Sequence, residues 1–124
     1  MKIQESAENY LEMILMLKER SGQVRSIDIA HELGYTKPSV SVAMKRLREN
    51  DYIAIDEDGY ITLQTSGLEI ATQVYERHQI LSQLLMALGV SEETALKDAC
   101  RIEHDISDES YQRLKEYFER HKGR

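Results

Sequence analysis

The chain has a single cysteine, a single proline, one phenylalanine and no tryptophan among its 124 residues. One thiol cannot close an internal disulfide, so the fold must stand on burial alone and suits a reducing compartment. The opening residues, MKIQESAENY, lack the apolar core of a signal peptide, and no run approaches the ~20 apolar residues of a membrane span. A soluble, cytoplasmic protein with no membrane partner is therefore expected. Repeats, low-complexity tracts and linkers rich in Pro, Gly or Ser are also missing. So is net positive charge: 22 acidic residues against 16 basic ones give a formal charge of −6. Any contact with nucleic acid must then come from a local basic patch. At this length two separate cores are marginal, and dimerisation would supply the missing burial.

One stretch organises the rest. In Ser26–Asn50, SIDIAHELGYTKPSVSVAMKRLREN, the residues Ile27, Ile29, Ala30 and Leu33 fall at helical spacing, Ser26 suits an N-cap, and Gly34 sits where a helix ends in positive φ. Thr36 can cap a second helix, Pro38 suits its first turn, and Val40, Ala43, Met44 and Leu47 recur every three or four residues. Two such helices around a glycine turn predict a helix-turn-helix. The second helix carries Lys37, Lys45, Arg46 and Arg48, with no acid before Glu49. Ser39 and Ser41 lie near its front. Small hydroxyls followed by cations suit a helix whose front end enters a major groove while its back end lies beside phosphates. Arg25 and Ser26, with the free N–H groups that open the first helix, could hold a further phosphate. The bland alternative is a solvated basic face. Against it stands Asp51–Leu63, DYIAIDEDGYITL, in which YIAI and YITL flank an Asp-Glu-Asp-Gly turn. This is a hairpin pattern, and a hairpin directly after the basic helix makes the module a winged helix-turn-helix, a DNA-binding fold.

Ahead of this module, Tyr10, Leu11, Ile14, Leu15 and Leu17 mark a helix from about Glu5 to Arg20, closed by Ser21-Gly22. Beyond it, Thr65-Ser66-Gly67 opens a long pattern through Leu68, Ile70, Ala71, Val74, Ile80, Leu81, Leu84 and Leu85 that ends near Gly89. Ser91-Glu-Glu-Thr94 is a capping-box pattern that opens a fifth helix, and Ser107-Asp-Glu-Ser110 opens a sixth, which ends in Phe118 and a basic tail. The fold class expected is mainly α: a winged helix-turn-helix domain over 1–70, then an all-helical dimerisation domain over 71–124.

The fifth helix contains Cys100, Glu103 and His104. The spacing i, i+3, i+4 puts a thiol, a carboxyl and an imidazole on one helical face, and all three are ligands of first-row metals. The competing reading makes Cys100 a small core residue and the other two surface polar groups. His78 on the fourth helix, and Asn9 and Glu12 one turn apart on the first, are further candidates that spacing cannot join to a site. His31 and His121 read as ordinary exposed histidines.

Over nearly its whole length the chain resembles the metal-dependent transcriptional repressors that include the diphtheria toxin repressor and the manganese transport regulator. The resemblance rests on SAENYLEMILML, IAHELGYTKPSVSVAMKRL, the wing followed by LQTSG, the YERH containing His78, and ACRIEHDISDES. It implies a non-enzymatic homodimeric repressor that binds pseudo-palindromic operator DNA when loaded with a divalent metal. It implies Cys100, Glu103 and His104 as ligands of the principal site. Where the iron branch has a helix-1 methionine and the manganese branch an aspartate, this chain has Asn9, and an amide oxygen is a neutral, weaker ligand. Glu12 matches a carboxylate ligand of the manganese branch, and His78 a histidine used by both. Ser82 and Leu96 replace a glutamate and a histidine of the iron branch's ancillary site. The ligand chemistry decides the metal expected: thiolate plus imidazole favours Fe(II), with Mn(II) the main alternative. Two rivals are a winged-helix regulator that senses an organic effector or, through Cys100, redox state, and a small metallohydrolase, for which no separate general base or oxyanion arrangement is visible.

Overall fold

The computed structural model describes residues 5–121, so the basic tail expected from Lys122 and Arg124 lies outside the described residues. Six helices and one two-stranded sheet follow in chain order: α1 (Glu5–Ser21), α2 (Ser26–Leu33), α3 (Lys37–Glu49), β1 (Ile53–Ile55), β2 (Ile61–Leu63), α4 (Thr65–Ala87), α5 (Glu92–Asp105) and α6 (Asp108–His121). The architecture is the mainly helical one expected, with the hairpin directly after α3. The chain divides into two compact units, Met1–Thr72 and Gln73–Arg124, and α4 carries it from the first into the second.

The first unit is built on an apolar core. Leu11, Ile14 and Leu17 of α1 pack with Val24, with Ile29 and Ala30 of α2, with Val40, Met44 and Leu47 of α3, and with Ile53 and Ile61 of the hairpin. These are the positions that helical and strand periodicity selects, and each fully buried Leu, Ile or Val stabilises by about 1.5–3 kcal/mol before entropy is counted. The turn between α2 and α3 works as the sequence implies. Gly34 adopts φ 70°, and Thr36 caps α3, its Oγ1 accepting the N–H of Ser39 at 3.3 Å.

Three local expectations are corrected. Ser26 is not the N-cap of α2 but its first helical residue; Arg25 is the cap, extended, with its N–H donated to Asp28 Oδ2 at 2.9 Å. Each strand is one residue shorter than its run, because Tyr52 and Tyr60 are drawn into turns. Tyr52 N–H bonds Leu47 O at 3.0 Å to close α3, and Tyr60 N–H bonds Asp56 Oδ1 at 2.9 Å in the wing turn. Ser91 does cap α5 by accepting from Thr94 N–H at 3.4 Å, but Thr94 offers no carboxylate to return the bond, so the capping box is half made.

The hairpin pairs Ile53 with Leu63, Ala54 with Thr62 and Ile55 with Ile61. Ile61 N–H also reaches Val24 O at 2.7 Å, which ties the segment before α2 to the wing. Where the wing returns into α4, Gly67 lies so close to Tyr52 that an added Cβ would stand 2.1 Å from its carbonyl oxygen. Only glycine fits there without backbone movement.

The second unit buries less apolar side chain and more polar side chain. Val74, Ile80, Leu81, Ala95, Ala99 and Tyr111 are buried, but so are Arg77, Ser82 and Glu103. Leu88 is 81% exposed, and Met86, Leu96, Leu114 and Tyr117 are also open to solvent. No helix among the described residues is long and apolar enough to cross a membrane.

Candidate metal centre and nucleic-acid interface

The first unit presents a basic helix. Burial of Val40, Met44 and Leu47 turns Lys37, Pro38, Ser39, Ser41, Lys45 and Arg46 outward, and all six are exposed. Thr36 is exposed too, but its hydroxyl is committed to the cap and donates to Ser39 Oγ at 2.8 Å. Val42, which lies outside the residues that periodicity marks, is 53% exposed on the same helix. Its signal was available: it falls out of phase with the apolar stripe of Val40, Met44 and Leu47. Arg25 is exposed at the start of α2, and its guanidinium lies 4.3 Å from the centre of the Tyr60 ring. That cation–π contact links the entrance of α2 to the wing, a pairing across 35 positions that no local pattern could announce.

On α1, Asn9 is half-buried and Glu12 buried, one turn apart as their spacing requires. Both belong to the first unit.

In the second unit, helical spacing gathers Cys100, Glu103 and His104 so that one donor atom from each lies within 4.8 Å of the others. Burial contradicts the bland alternative on both counts. Cys100 is exposed rather than a core filler, while the side chains of Glu103 and His104 are 0% and 1% exposed. His104 Nε2 stands 3.4 Å from Glu103 Oε1. From α4, His78 Nδ1 lies 2.9 Å from Glu103 Oε2. Glu103 Oε1 is buried with no hydrogen-bond partner among the described residues. Burying a carboxyl oxygen without a donor costs free energy, on the order of 1–3 kcal/mol. Such a cost is common where a group is kept for a ligand. The thiol, carboxyl and imidazole of Cys100, Glu103 and His104 are a donor set that fits a divalent transition metal, and His78 lies against the same carboxyl. Ser82 is buried with its hydroxyl donated to Gln79 O at 3.0 Å, and Leu96 is exposed, so neither contributes a ligand. His31 and His121 are exposed, as expected; His121 stacks on Tyr117.

The two residues before His78 bind α6 and the end of α5. Glu76 accepts from Tyr111 Oη at 2.9 Å and from Lys115 Nζ at 2.6 Å. The lysine's hydrogen bond holds the Glu76 carboxyl below its usual range, with burial opposing and the tyrosine's bond assisting. Burial, then the bond to Glu76, pushes the Tyr111 phenol well above its usual value. Arg77 bonds Glu103 O at 3.3 Å and Ile106 O at 3.2 Å, and pairs with Asp108.

This architecture can now be set beside known proteins. Residues 2–63 match the family described as iron dependent repressor, N-terminal DNA binding domain, and residues 64–122 match iron dependent repressor, metal binding and dimerisation domain. The chain belongs to the iron-dependent repressor family. It is 33% identical over 117 residues to the transcriptional regulator MntR of Escherichia coli O6:H1, covering 94% of this chain and 76% of that protein. It is 35% identical over 117 residues to the HTH-type transcriptional regulator MntR of Bacillus subtilis, covering 92% and 82%. Among solved structures it is similar to the manganese regulator SloR, with a TM-score of 0.80 and 27% identity over 96% of this chain. The chain spans about half of SloR, 55% of its length. The family is one of metal-dependent transcriptional regulators and not of enzymes, which removes the metallohydrolase reading.

Proposed function

We propose that this chain is a homodimeric repressor whose binding to operator DNA responds to a divalent metal held by Cys100, Glu103, His104 and His78. The observation that carries the reading is the buried Glu103, flanked by His78 and His104, with one carboxyl oxygen lacking a hydrogen-bond donor. When bound, the ion supplies the positive charge that this oxygen lacks. On the family resemblance alone, Asn9 or Glu12 contributes a ligand from the DNA-binding unit. Shared ligation of that kind couples metal to DNA, and a coupling of about 1–3 kcal/mol is enough for a regulatory response. In this reading 1–70 is the DNA-binding domain and 71–124 the metal-binding and dimerisation domain. The partner copy covers the exposed leucines of the second unit, and the protein acts in the cytoplasm.

For DNA, the outward residues of α3 divide by chemistry. Ser39 and Ser41, with Pro38, stand at the front where a helix reads base edges, while Lys37, Lys45 and Arg46 suit phosphates, as do Arg25 and Ser26 at the start of α2. For the metal, the Cys100 thiolate favours Fe(II). Mn(II) is the second reading, and what favours it is that close relatives carry the name MntR and a structural neighbour is titled a manganese regulator.

The test is selection of binding sites from a random-sequence duplex pool, followed by anaerobic binding titrations with Fe(II), Mn(II) and chelator. Wild type should bind its selected site at least tenfold more tightly with metal. Cys100→Ala should lose that gain while keeping nonspecific binding, whereas Arg46→Ala should weaken binding to all duplexes and reduce the salt slope by about one. Equal affinity in chelator and in metal would discard the corepressor reading and leave Cys100 as a redox sensor or the site to an organic effector.

A further inference from the structure

The geometry points to Arg77 as a positioning residue for the metal centre, holding Glu103 in place through its main chain while His78 holds its side chain. The inference rests on the proposed metal reading and goes beyond the ligands. Arg77 precedes His78 on α4, and its side chain is only 10% exposed. Its Nη1 donates to the carbonyl oxygens of Glu103 and Ile106, at 3.3 Å and 3.2 Å. Its Nη2 pairs with Asp108 Oδ1 at the first residue of α6, and its guanidinium carbon lies 4.9 Å from the centre of the Tyr111 ring.

The need for such a residue follows from where the ligands sit. Glu103 and His104 are in the last turn of α5, which ends at Asp105, and the last four carbonyls of a helix have no intrahelical donor. An end turn frays unless something satisfies those oxygens. Arg77 does so from a neighbouring helix, with a planar fork that can bond two carbonyls and a carboxylate at once. Its positive charge also sits at the negative end of the α5 dipole. Glu103 is thus fixed at two points by consecutive residues of α4: its carbonyl by Arg77 and its carboxyl by His78, at 2.9 Å. A methionine of similar length could fill the space but could donate nothing. The carbonyls would then turn to water, and Glu103 and His104 would lose their fixed geometry.

Groups that orient metal ligands without touching the ion typically contribute 10–100-fold in affinity. The test uses the full chain under anaerobic conditions with Co(II) as the probe. Thiolate-to-cobalt charge-transfer absorption and the visible ligand-field bands report coordination directly, and competition with a chelator gives the dissociation constant. Arg77→Met should bind Co(II) about 10–100-fold more weakly, with altered visible bands. Arg77→Lys should fall between it and wild type, since one ammonium can reach fewer of the three oxygens. Asp108→Asn, at an exposed carboxyl, should fold normally and show a smaller loss. Ile80→Val serves as a control that removes a buried methylene group from the same helix and should leave the cobalt spectrum unchanged. The inference is overturned if folded Arg77→Met has the wild-type constant and spectrum, or if it loses affinity with the wild-type spectrum, as a merely structural role predicts. Should Arg77→Met not fold, unchanged binding by both Arg77→Lys and Asp108→Asn overturns it. Absence of a thiolate band in wild type is a different result: it sinks the metal reading itself.

Discussion

The two units of this chain are stabilised in different ways. The first encloses Leu11, Ile14, Val24, Ile29, Val40, Met44, Ile53 and Ile61 in one apolar core, and its candidate DNA contacts stand outside it on α3. The second places most of its candidate ligand side chains inside, Glu103 and His104 among them, with Cys100 exposed. Glu103 is 1% exposed and Arg77 8%, while Leu88 is 81% exposed. For DNA binding in the first unit, stability and the candidate contacts are therefore carried by separate residues. In the second they compete for the same interior, and on the proposed reading a partner copy and an ion supply what its own core does not.

The largest effect that tests this contrast is a cavity in the first unit. Ile14 is fully buried, and Ile14→Ala should cost about 2–5 kcal/mol. Because Ile14 belongs to the core of the first unit and the cluster on α5 to the second, the loss measured by urea unfolding should be the same in chelator and in metal. A loss that metal reverses would mean the core of the first unit is not self-sufficient.

The second prediction has the opposite sign. Glu103 buries a carboxyl whose Oε1 lacks a donor, so removing it relieves a desolvation cost. Glu103→Gln, which removes the buried charge but keeps a carbonyl oxygen for His78 to bond, should raise the stability of the chelated protein by about 1–3 kcal/mol while abolishing its response to metal. Thermal unfolding in chelator, beside Co(II) titration, measures both. A destabilised variant would show that Glu103 serves the fold rather than the ligand.

How much of this could be read from the sequence follows the same divide. On α3 every functional group lies on a single helix, so periodicity alone told inside from outside, and the wing behind it confirmed the module. Cys100, Glu103 and His104 were legible for the same reason, being one turn of one helix. What stayed hidden needed two elements: His78 against Glu103, Arg77 against the end of α5, Arg25 against Tyr60, and Val24 against Ile61. Arg77 in particular looks like one more charged residue in YERH until its depth is known. The misplaced cap at Ser26 has a simpler cause. Serine is favoured at an N-cap because its hydroxyl accepts a first-turn N–H, but here the Asp28 carboxylate accepts the N–H of Arg25 instead and fixes Arg25 as the cap, so the helix starts at Ser26.

The smallest effects sharpen the comparison most, because two matched caps report on one unit each. Thr36 Oγ1 accepts from Ser39 N–H at 3.3 Å at the start of α3, and Ser91 Oγ accepts from Thr94 N–H at 3.4 Å at the start of α5. Both bonds are long, which places each alanine substitution at the low end of the range for a lost cap, about 0.5–1 kcal/mol. In units of this size that is a shift of a few degrees in midpoint, roughly 2–8 °C. With a mostly apolar core in one unit and a polar interior in the other, chelated protein should unfold in two steps, the second unit first. Ser91→Ala should lower the first midpoint and leave the second where it was. Thr36→Ala should do the reverse. Saturating metal should raise the first midpoint, as any ligand of the folded state does, and merge the steps. Differential scanning calorimetry of both variants, with and without chelator, reads all of this in one experiment. A single transition in chelator, moved equally by both substitutions, would mean that the two units fold as one and that the polar interior of the second costs less than its buried groups suggest.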